Sequence, residues 1–480
     1  MNPRSIFFVL GKMLTYFSVI IIVPLIYAFF DSSSDVTPFI MTIFFSLGIG
    51  FSFQLLTRRV ADISLKDGFL IVALGWLLYS VIGSIPYLFA GTFSNFGDAF
   101  FETMSGLTTT GATVMTQIEG TPNAILLWRS ITQYIGGIGI IVLAISVLPE
   151  IGLGAVRLFN SEMPGPTKEK VLPRIKDTAK IIWLIYIAIT ALQVLLLKLT
   201  GLSLFDAINH SFTTMSTGGF STKNLSIISF HNPAAEWIII LFMFIAGLNL
   251  TLHINFLRTR KFNYLHNSEL KLYIAIILVA WAFVMFNVQY HLGGNFLENI
   301  RLAGFQIMSI ITTTGFASAN YELWPHFSQF LLVFLMFFGA MAGSTSGSVK
   351  MGRILVMGKS LSKEITKVLH PKMIYKIKIN KQAVPENIIK NISIFIFLYF
   401  LIFIVSSLIL TLYNIDIITS TSAVAACLGN VGPGLGLVGA LDNYAGLPMS
   451  VKYFLAFLMM VGRLEIYTVI IILTPKFWKK

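Results

Sequence analysis

MSGLTTTG at residues 104–111 recurs later in the chain as MSIITTTG at residues 308–315, with six of the eight positions identical. Two related stretches, STGGFS at residues 216–221 and GNVGPG at residues 429–434, align with them through a shared glycine. The four reference glycines are 96 to 117 residues apart and are Gly111, Gly219, Gly315 and Gly432. Self-similarity at a nearly constant spacing indicates a repeated structural unit. The sequence therefore predicts four copies of one unit.

The composition around these repeats excludes a water-soluble protein. Hydrophobic residues make up 56% of the 480 residues and charged residues only 11%, whereas a soluble domain carries roughly 25% charged residues. The single cysteine, Cys427, also excludes a disulfide scaffold. Apolar runs of about 20 residues are long enough to cross a bilayer as helices. The sequence predicts ten such spans, at residues 6–30, 39–56, 69–90, 124–148, 181–199, 235–256, 270–288, 327–349, 392–412 and 449–473.

The net charge of +13 follows the predicted topology, so we do not expect nucleic-acid binding. Most of the 34 lysine and arginine residues fall in alternate loops and in the two termini. The opposite loops carry acidic residues, for example Glu102. Positively charged loops remain on the cytoplasmic side, which predicts that both termini are cytoplasmic. The basic loops also suit contact with membrane lipids.

Four connections on the outward side are unusual, at residues 91–123, 200–234, 289–326 and 413–448. Each is too apolar for a solvated loop and too short for a full crossing with turns. We expect a half-helix that dips into the membrane and then non-helical backbone, which survives there only when protein buries it or when it lines water.

The predicted fold is an all-α integral membrane protein with four parallel span–pore-loop–span repeats around a pseudo-fourfold central pore. Two extra N-terminal transmembrane helices precede them. The expected units are an N-terminal accessory hairpin at residues 1–67, then pore repeats at residues 68–150, 151–258, 259–350 and 351–480. The third repeat would end in a broken helix, and the fourth would begin with a basic cytoplasmic segment.

The Thr/Gly stretches predict a cation filter. Glycine allows φ > 0, so successive carbonyl groups can face one way, and rings of carbonyl oxygens replace the hydration shell of a monovalent cation. The negative ends of the half-helix dipoles would favour a cation there. The stretches contain no carboxylate, which disfavours a divalent ion. Tight backbone packing is the alternative reading. The predicted filter residues are Thr109, Thr110, Gly111, Thr217, Gly218, Gly219, Thr313, Thr314, Gly315, Asn430, Val431 and Gly432.

Two features are candidate gates. Residues 339–348 (GAMAGSTSGS) are almost all small and fall inside a predicted span. Such a sequence weakens a helix and fits either a flexible intramembrane loop, with Gly343, Ser344, Thr345, Ser346 and Gly347 at its centre, or a close helix crossing. The other is Arg463 in the last span. A charge inside the membrane faces a cavity or a partner, so Arg463 is either a barrier to cations or half of a buried ion pair.

Other residues yield weaker expectations. His210 lies near an outward connection without metal-ligand spacing, and we expect it to be a solvated loop residue. The sequence lacks the phosphate loop GxxxxGK[ST] and the motifs HExxH and CxxC, so an enzyme is not expected.

As a set, these motifs resemble the membrane subunit of the Trk/Ktr/HKT superfamily of potassium transporters, and most closely its bacterial TrkH branch. The likeness rests on TTTG at 108–111 and 312–315, STGGFST at 216–222, GNVGPGLG at 429–436, QYIGGIGI at 133–140 and EMPGP at 162–166. The two extra leading spans favour TrkH over the shorter Ktr relatives.

The resemblance implies a channel-like pore for potassium uptake in the bacterial inner membrane. It implies potassium at the filter, with no organic cofactor in this chain, and a gate formed by the small-residue loop and Arg463. Its expected partners are a second copy of the chain in a homodimer and cytosolic TrkA-type nucleotide-binding regulatory subunits. Relatives that admit sodium can carry Ser where this chain has Gly111, so we expect selectivity for potassium. An ion-coupled potassium symporter, driven by sodium or protons, remains the alternative.

Overall fold

A computed structural model describes residues 1–31, 35–57, 63–139, 175–250, 252–254, 267–372, 376–380 and 382–479. The motif at residues 162–166 and the repeat boundaries at residues 150 and 258 lie outside these ranges. Six of the described helices are individually long and apolar enough to cross a membrane, and a bent pair adds a seventh.

The chain begins with a helical hairpin, α1 (Pro3–Phe30) and α2 (Thr37–Leu56). The helices meet at glycines: a Cβ on Gly11 would lie 2.6 Å from the carbonyl oxygen of Gly50. Small residues at the contact let two helix backbones approach closely in a membrane. Phe17 of α1 stacks on Tyr79 with ring centroids 4.4 Å apart, which seats the hairpin against the first repeat.

Each repeat has an outer helix, a short pore helix and an inner helix. Repeat 1 contains α3 (Leu65–Gly83) with the short α4 (Ile85–Phe89), pore helix α5 (Phe96–Leu107) and α6 (Asn123–Ile138). Repeat 2 contains α7 (Ile175–Leu199), pore helix α8 (Leu204–Met215) and α9 (Pro233–Ala246).

Repeats 3 and 4 follow the same order. Repeat 3 contains α10 (Ser268–Leu292), pore helix α11 (Phe296–Ile311), α12 (His326–Leu335) and, after a loop, α13 (Met351–Leu369). A two-stranded hairpin, β1 (Lys378–Ile379) and β2 (Gln382–Ala383), leads into repeat 4. Repeat 4 contains α14 (Glu386–Thr411), pore helix α15 (Ile417–Gly429), α16 (Met449–Arg463) and α17 (Glu465–Leu473), and the short α18 (Pro475–Trp478) ends it.

The four pore helices are capped in the same way at their N-termini. Each N-cap side chain accepts a hydrogen bond from a backbone N–H in the first turn, which satisfies a donor that the helix itself leaves free. The capping residues are Asn95, Ser203, Asn295 and Asp416. All four half-helices therefore begin at the same place in their repeat, as the sequence predicts.

The inner helices end within their predicted spans. α6 ends at Ile138 and α9 ends at Ala246, although the predicted spans run to residues 148 and 256. The span at residues 327–349 stops at Leu335 and helix resumes only at Met351, so it is broken as its small residues predict. The span at residues 449–473 is wrong as a continuous helix: it bends by 117° between α16 and α17, where Glu465 has a φ of 57°. It kinks because helix cannot continue through a left-handed residue.

Candidate filter and gate

The four pore helices end in the same turn. The second residue before each reference glycine is left-handed, with φ of 54° at Thr109, 54° at Thr217, 57° at Thr313 and 55° at Asn430. The residue after it donates its N–H to the carbonyl five residues back, at 2.8 to 2.9 Å. This bond and the left-handed residue define the Schellman helix end. GNVG therefore aligns with the threonine filters, and Asn is the side chain besides Gly that such a position accepts most readily.

The reference glycines bring the filters into a closed ring. Each glycine has a left-handed φ, between 78° and 103°. A Cβ added to any of them would strike a carbonyl of the neighbouring filter: Gly111 meets Gly218, Gly219 meets Thr314, Gly315 meets Val431 and Gly432 meets Thr110. The contacts run from filter 1 to 2, 3, 4 and back to 1. The four stretches therefore surround a common axis in chain order, and each requires glycine for both its φ and its close neighbour.

The filter residues of this ring carry hydroxyl, amide and carbonyl groups, and none of them carries a carboxylate. The Thr108 and Thr110 hydroxyl groups are 2.7 Å apart, and those of Thr312 and Thr314 are 2.8 Å apart. Asn430 donates from Nδ2 to Thr110 Oγ1 at 3.0 Å, which joins filter 4 to filter 1. The arrangement offers neutral oxygen atoms at the negative ends of four helix dipoles, an environment suited to a cation of low charge.

The predicted gate loop lies against the inner ends of the pore helices. We call residues 336–350 the gate loop. Gly347 donates its N–H to Thr313 Oγ1 at 2.7 Å, and Thr345 Oγ1 donates to the carbonyl of Met215 at 3.1 Å. The loop is therefore in direct contact with filter 3 and with the end of the second pore helix. The reading of a close helix crossing is wrong, because the chain here is not helical.

Arg463 connects the gate loop to repeat 1. Its Nη1 donates to the Thr345 carbonyl at 2.7 Å, and its Nη2 donates to the carbonyls of Gly136 and Gly137 at 2.6 and 3.0 Å. Glu465 instead pairs with Arg353. The guanidinium thus lies at the junction of the loop, the end of α6 and the bend after α16.

Two charged residues outside the predicted site also contact the gate loop. Lys350 donates to Ser346 Oγ at 3.0 Å and to the carbonyl of Ser346. Glu269, on the first turn of α10, accepts from the Ala342 N–H at 2.6 Å. The sequence offered only one signal for Glu269, an acidic residue at the start of a span on the predominantly basic side.

The structure corrects two expectations about polar residues near the outward loops. Glu102 is fully buried on α5 and pairs with Arg129, with Oε1 and Nε 2.6 Å apart. His210 is also fully buried, and its Nε2 lies 2.9 Å from Ser221 Oγ. Glu102 also accepts the N–H of Val114 in its own connection, and the His210 ring packs against Phe316 of filter 3. The position of a residue along the chain could not reveal that its side chain lies on a buried face of the pore helix.

The sequence that forms this closed ring of four filters matches a known protein family. The model of the TrkH family, described as a cation transport protein, matches residues 33–480. The chain belongs to the TrkH family. It is 38% identical over 485 residues to the Trk system potassium uptake protein TrkH of Salmonella typhimurium, covering 100% of both chains. It is 34% identical over 489 residues to TrkG of Escherichia coli K12, covering 100% of this chain and 99% of TrkG.

A solved structure supports the same assignment. The crystal structure of the potassium transporter TrkH from Vibrio parahaemolyticus is 35% identical, covers 100% of each chain and superimposes with a TM-score of 0.89. The resemblance drawn from the motifs is therefore confirmed, as is the architecture of repeats. This TrkH-family chain is a multi-pass membrane transport protein and not an enzyme.

Proposed function

We propose that this chain takes up potassium through a channel-like selective pore. The observation that carries the proposal is the closed ring of four filters, each with a left-handed residue two positions before a left-handed glycine. The transported ion would be held by the filter residues, Thr109–Gly111, Thr217–Gly219, Thr313–Gly315 and Asn430–Gly432. Relatives across the full length are named potassium uptake proteins, which supports potassium as the substrate.

The gate loop, with Gly343 to Gly347 at its centre, and Arg463 would obstruct the path below the filter. The hydrogen bonds from the loop to Thr313 and Met215 support this proposal because they hold backbone against the inner end of the ring. The positive charge of Arg463 would add an electrostatic barrier to a cation. Opening would require the loop to leave these contacts.

Regulation and assembly extend the proposal. The relatives are named as parts of a Trk system, which supports control by cytosolic TrkA-type nucleotide-binding subunits, and we propose that the membrane subunit is a homodimer. The basic loops support a bacterial inner-membrane location with both termini cytoplasmic. The functional units would be the accessory hairpin, residues 1–67, and pore repeats at 68–150, 151–258, 259–350 and 351–480.

The membrane potential would drive uptake. It supplies about 2.3 kcal/mol per charge per 100 mV, which suffices to concentrate potassium roughly fiftyfold because every 1.4 kcal/mol is tenfold. Coupled symport remains the alternative, and it would make uptake depend on a second ion gradient.

The test is uptake of radioactive rubidium into potassium-loaded proteoliposomes that contain the purified chain alone. We expect uptake that external potassium blocks and that sodium and lithium do not. A protonophore with the membrane potential clamped, and replacement of all external sodium, should leave the rate unchanged. Uptake that collapses under either treatment would support symport. If wild type, Arg463→Ala and a shortened gate loop were all silent although folded, the pore would be refuted.

A further inference from the structure

Filter 2 has glycine where filters 1 and 3 have their last threonine. Thr110 and Thr314 precede the reference glycine in filters 1 and 3, but Gly218 holds this position in filter 2. Its φ is not left-handed, so backbone strain does not require glycine there. Space does: a Cβ on Gly218 would collide with the side-chain amide of Gln133. Gln133 of α6 therefore occupies the place that a threonine side chain takes in filters 1 and 3.

The amide of Gln133 is bonded on both sides of the reference glycine of filter 2. Its Nε2 donates to the carbonyl of Gly218 at 2.6 Å, and its Oε1 accepts the N–H of Phe220 at 3.0 Å. Gln133 is fully buried, so water does not compete for these bonds. The Gly218 carbonyl is also the group that abuts Gly111 in the ring of filters.

Arg129 fixes the helix from which Gln133 projects. It lies one turn earlier on α6 and pairs with Glu102, with Nε and Oε1 2.6 Å apart. It also donates to the carbonyl of Ser221 at 2.8 Å and lies over the Phe220 ring at 3.6 Å. A guanidinium that is buried, paired and stacked in this way is held in one geometry. Filter 2 is thus braced by repeat 1 at three residues: Gly218 and Phe220 contact Gln133, and Phe220 and Ser221 contact Arg129.

The brace is particular to this boundary. Gly139, Gly247 and Gly343 follow the reference glycines of their repeats by the same number of residues. The residues six positions before them are Gln133, Leu241 and Phe337. The four carbonyls that abut the reference glycines belong to residues 110, 218, 314 and 431. Among hydrogen bonds between described residues, only the carbonyl of Gly218 accepts a bond from a side chain. One ring oxygen therefore has a fixed partner that its counterparts lack.

We propose that Gln133 is a specificity-determining positioning residue, which holds the Gly218 carbonyl at the spacing that suits potassium. Ion discrimination in a carbonyl filter depends on where the oxygen atoms lie and how freely they move. Released from Gln133, the Gly218 carbonyl would follow a smaller ion inward, and sodium would be bound better. This inference rests on the proposed function, since it requires the ring to be the filter.

The first test compares Gln133→Leu and Gln133→Glu with the wild type. Cation-dependent thermal stability of the purified protein yields apparent affinities for potassium and sodium without requiring transport, and rubidium uptake provides the functional ratio. We expect the potassium-to-sodium ratio to fall about tenfold in both variants, equivalent to about 1.4 kcal/mol. Gln133→Glu preserves shape and the acceptor for Phe220 while losing the amide donor to Gly218.

Gln193→Leu is the matched control. Gln193 on α7 is fully buried, and its amide makes no hydrogen bond to a described residue. The same substitution there should leave the ratio unchanged. If Gln133→Leu and Gln133→Glu fold and retain the wild-type ratio, the inference is overturned. If wild type itself fails to prefer potassium, the proposed function fails instead.

A compensating pair covers the case in which the single variants do not fold. Gly218→Thr alone should lose uptake, because its side chain collides with Gln133. Gly218→Thr with Gln133→Ala should recover uptake, because the collision at position 218 is removed. Its potassium-to-sodium ratio should stay below that of the wild type, because the carbonyl of residue 218 has lost its side-chain donor. A double variant that takes up rubidium with the wild-type ratio would contradict the proposal.

Discussion

The Arg463 guanidinium donates to the Thr345 carbonyl across 2.7 Å, which ties the bend in the last inner helix to the loop beneath the ring of filters. The two residues are 118 positions apart and belong to different repeats. Displacing either the loop or the guanidinium breaks a bond to the other, so the two parts of the proposed gate are mechanically coupled.

Arg463→Ala should raise basal rubidium uptake by at least about tenfold, since removal of one positive charge and its three bonds lowers the barrier by about 1.4 kcal/mol or more. Arg463→Lys keeps the charge and should remain near the wild-type rate. Uptake by proteoliposomes with equal amounts of folded protein checks both. An unchanged rate in Arg463→Ala would assign the residue to structure alone.

Lys350→Met should also raise basal uptake, by about tenfold or more, because hydrogen bonds to a charged group contribute about 1.5–3 kcal/mol and Ser346 would lose this donor. The control is Lys359→Met on α13, the helix that follows Lys350; the Lys359 Nζ donates to the Lys378 carbonyl on the exposed side. Equal uptake by the two variants would show that Lys350 does not hold the gate loop shut.

Gly111→Ser should lower the potassium-to-sodium ratio by about tenfold or more and reduce uptake. The serine would have to adopt a φ of 84° and would collide with the Gly218 carbonyl. Strain at such a position costs about 1–3 kcal/mol. Gly120→Ser, in the same outward connection with open space around its Cα, should behave as wild type. Competition by sodium against rubidium uptake measures the ratio, and a wild-type ratio in Gly111→Ser would argue against this ring as the filter.

Glu102→Gln should destabilise the protein strongly, because it leaves Arg129 as a buried charge without its carboxylate. Breaking a buried pair costs about 3–5 kcal/mol. Glu386→Gln removes a partner of Lys363 at a surface site where Glu386 is 79% exposed, and such pairs contribute about 0–1 kcal/mol. Thermal unfolding in detergent should therefore show a large loss for the first variant and almost none for the second, whereas comparable losses would contradict burial of the pair.

Features that depend on local sequence were predictable. Each filter is a contiguous segment of a few residues whose backbone requires glycine or another tolerant residue at set offsets, so TTTG and GNVG could be aligned before the structure was known. The small residues of the gate loop indicated a broken helix for the same reason. Hydropathy located the long outer helices to within a few residues, because twenty apolar residues leave few alternatives.

The sequence did not predict which face of a helix a polar residue lies on or which residue it contacts. His210 was expected to be a solvated loop residue and Glu102 was counted among the acidic residues of the outward loops, yet both are buried, because the face of a pore helix that is buried is set by packing. The span at 449–473 failed as a continuous helix because hydropathy does not sense a left-handed residue within an apolar run.

By itself, the sequence determined that the chain is a membrane protein of four repeats and which residues form the filter turns, since those properties follow from composition and from backbone preferences over a few residues. The tertiary structure alone decided that filter 1 abuts filter 2, that Gln133 reaches Gly218 across 85 residues and that Arg463 reaches Thr345. Contacts of this kind depend on how whole helices pack, and no short stretch of chain carries that information.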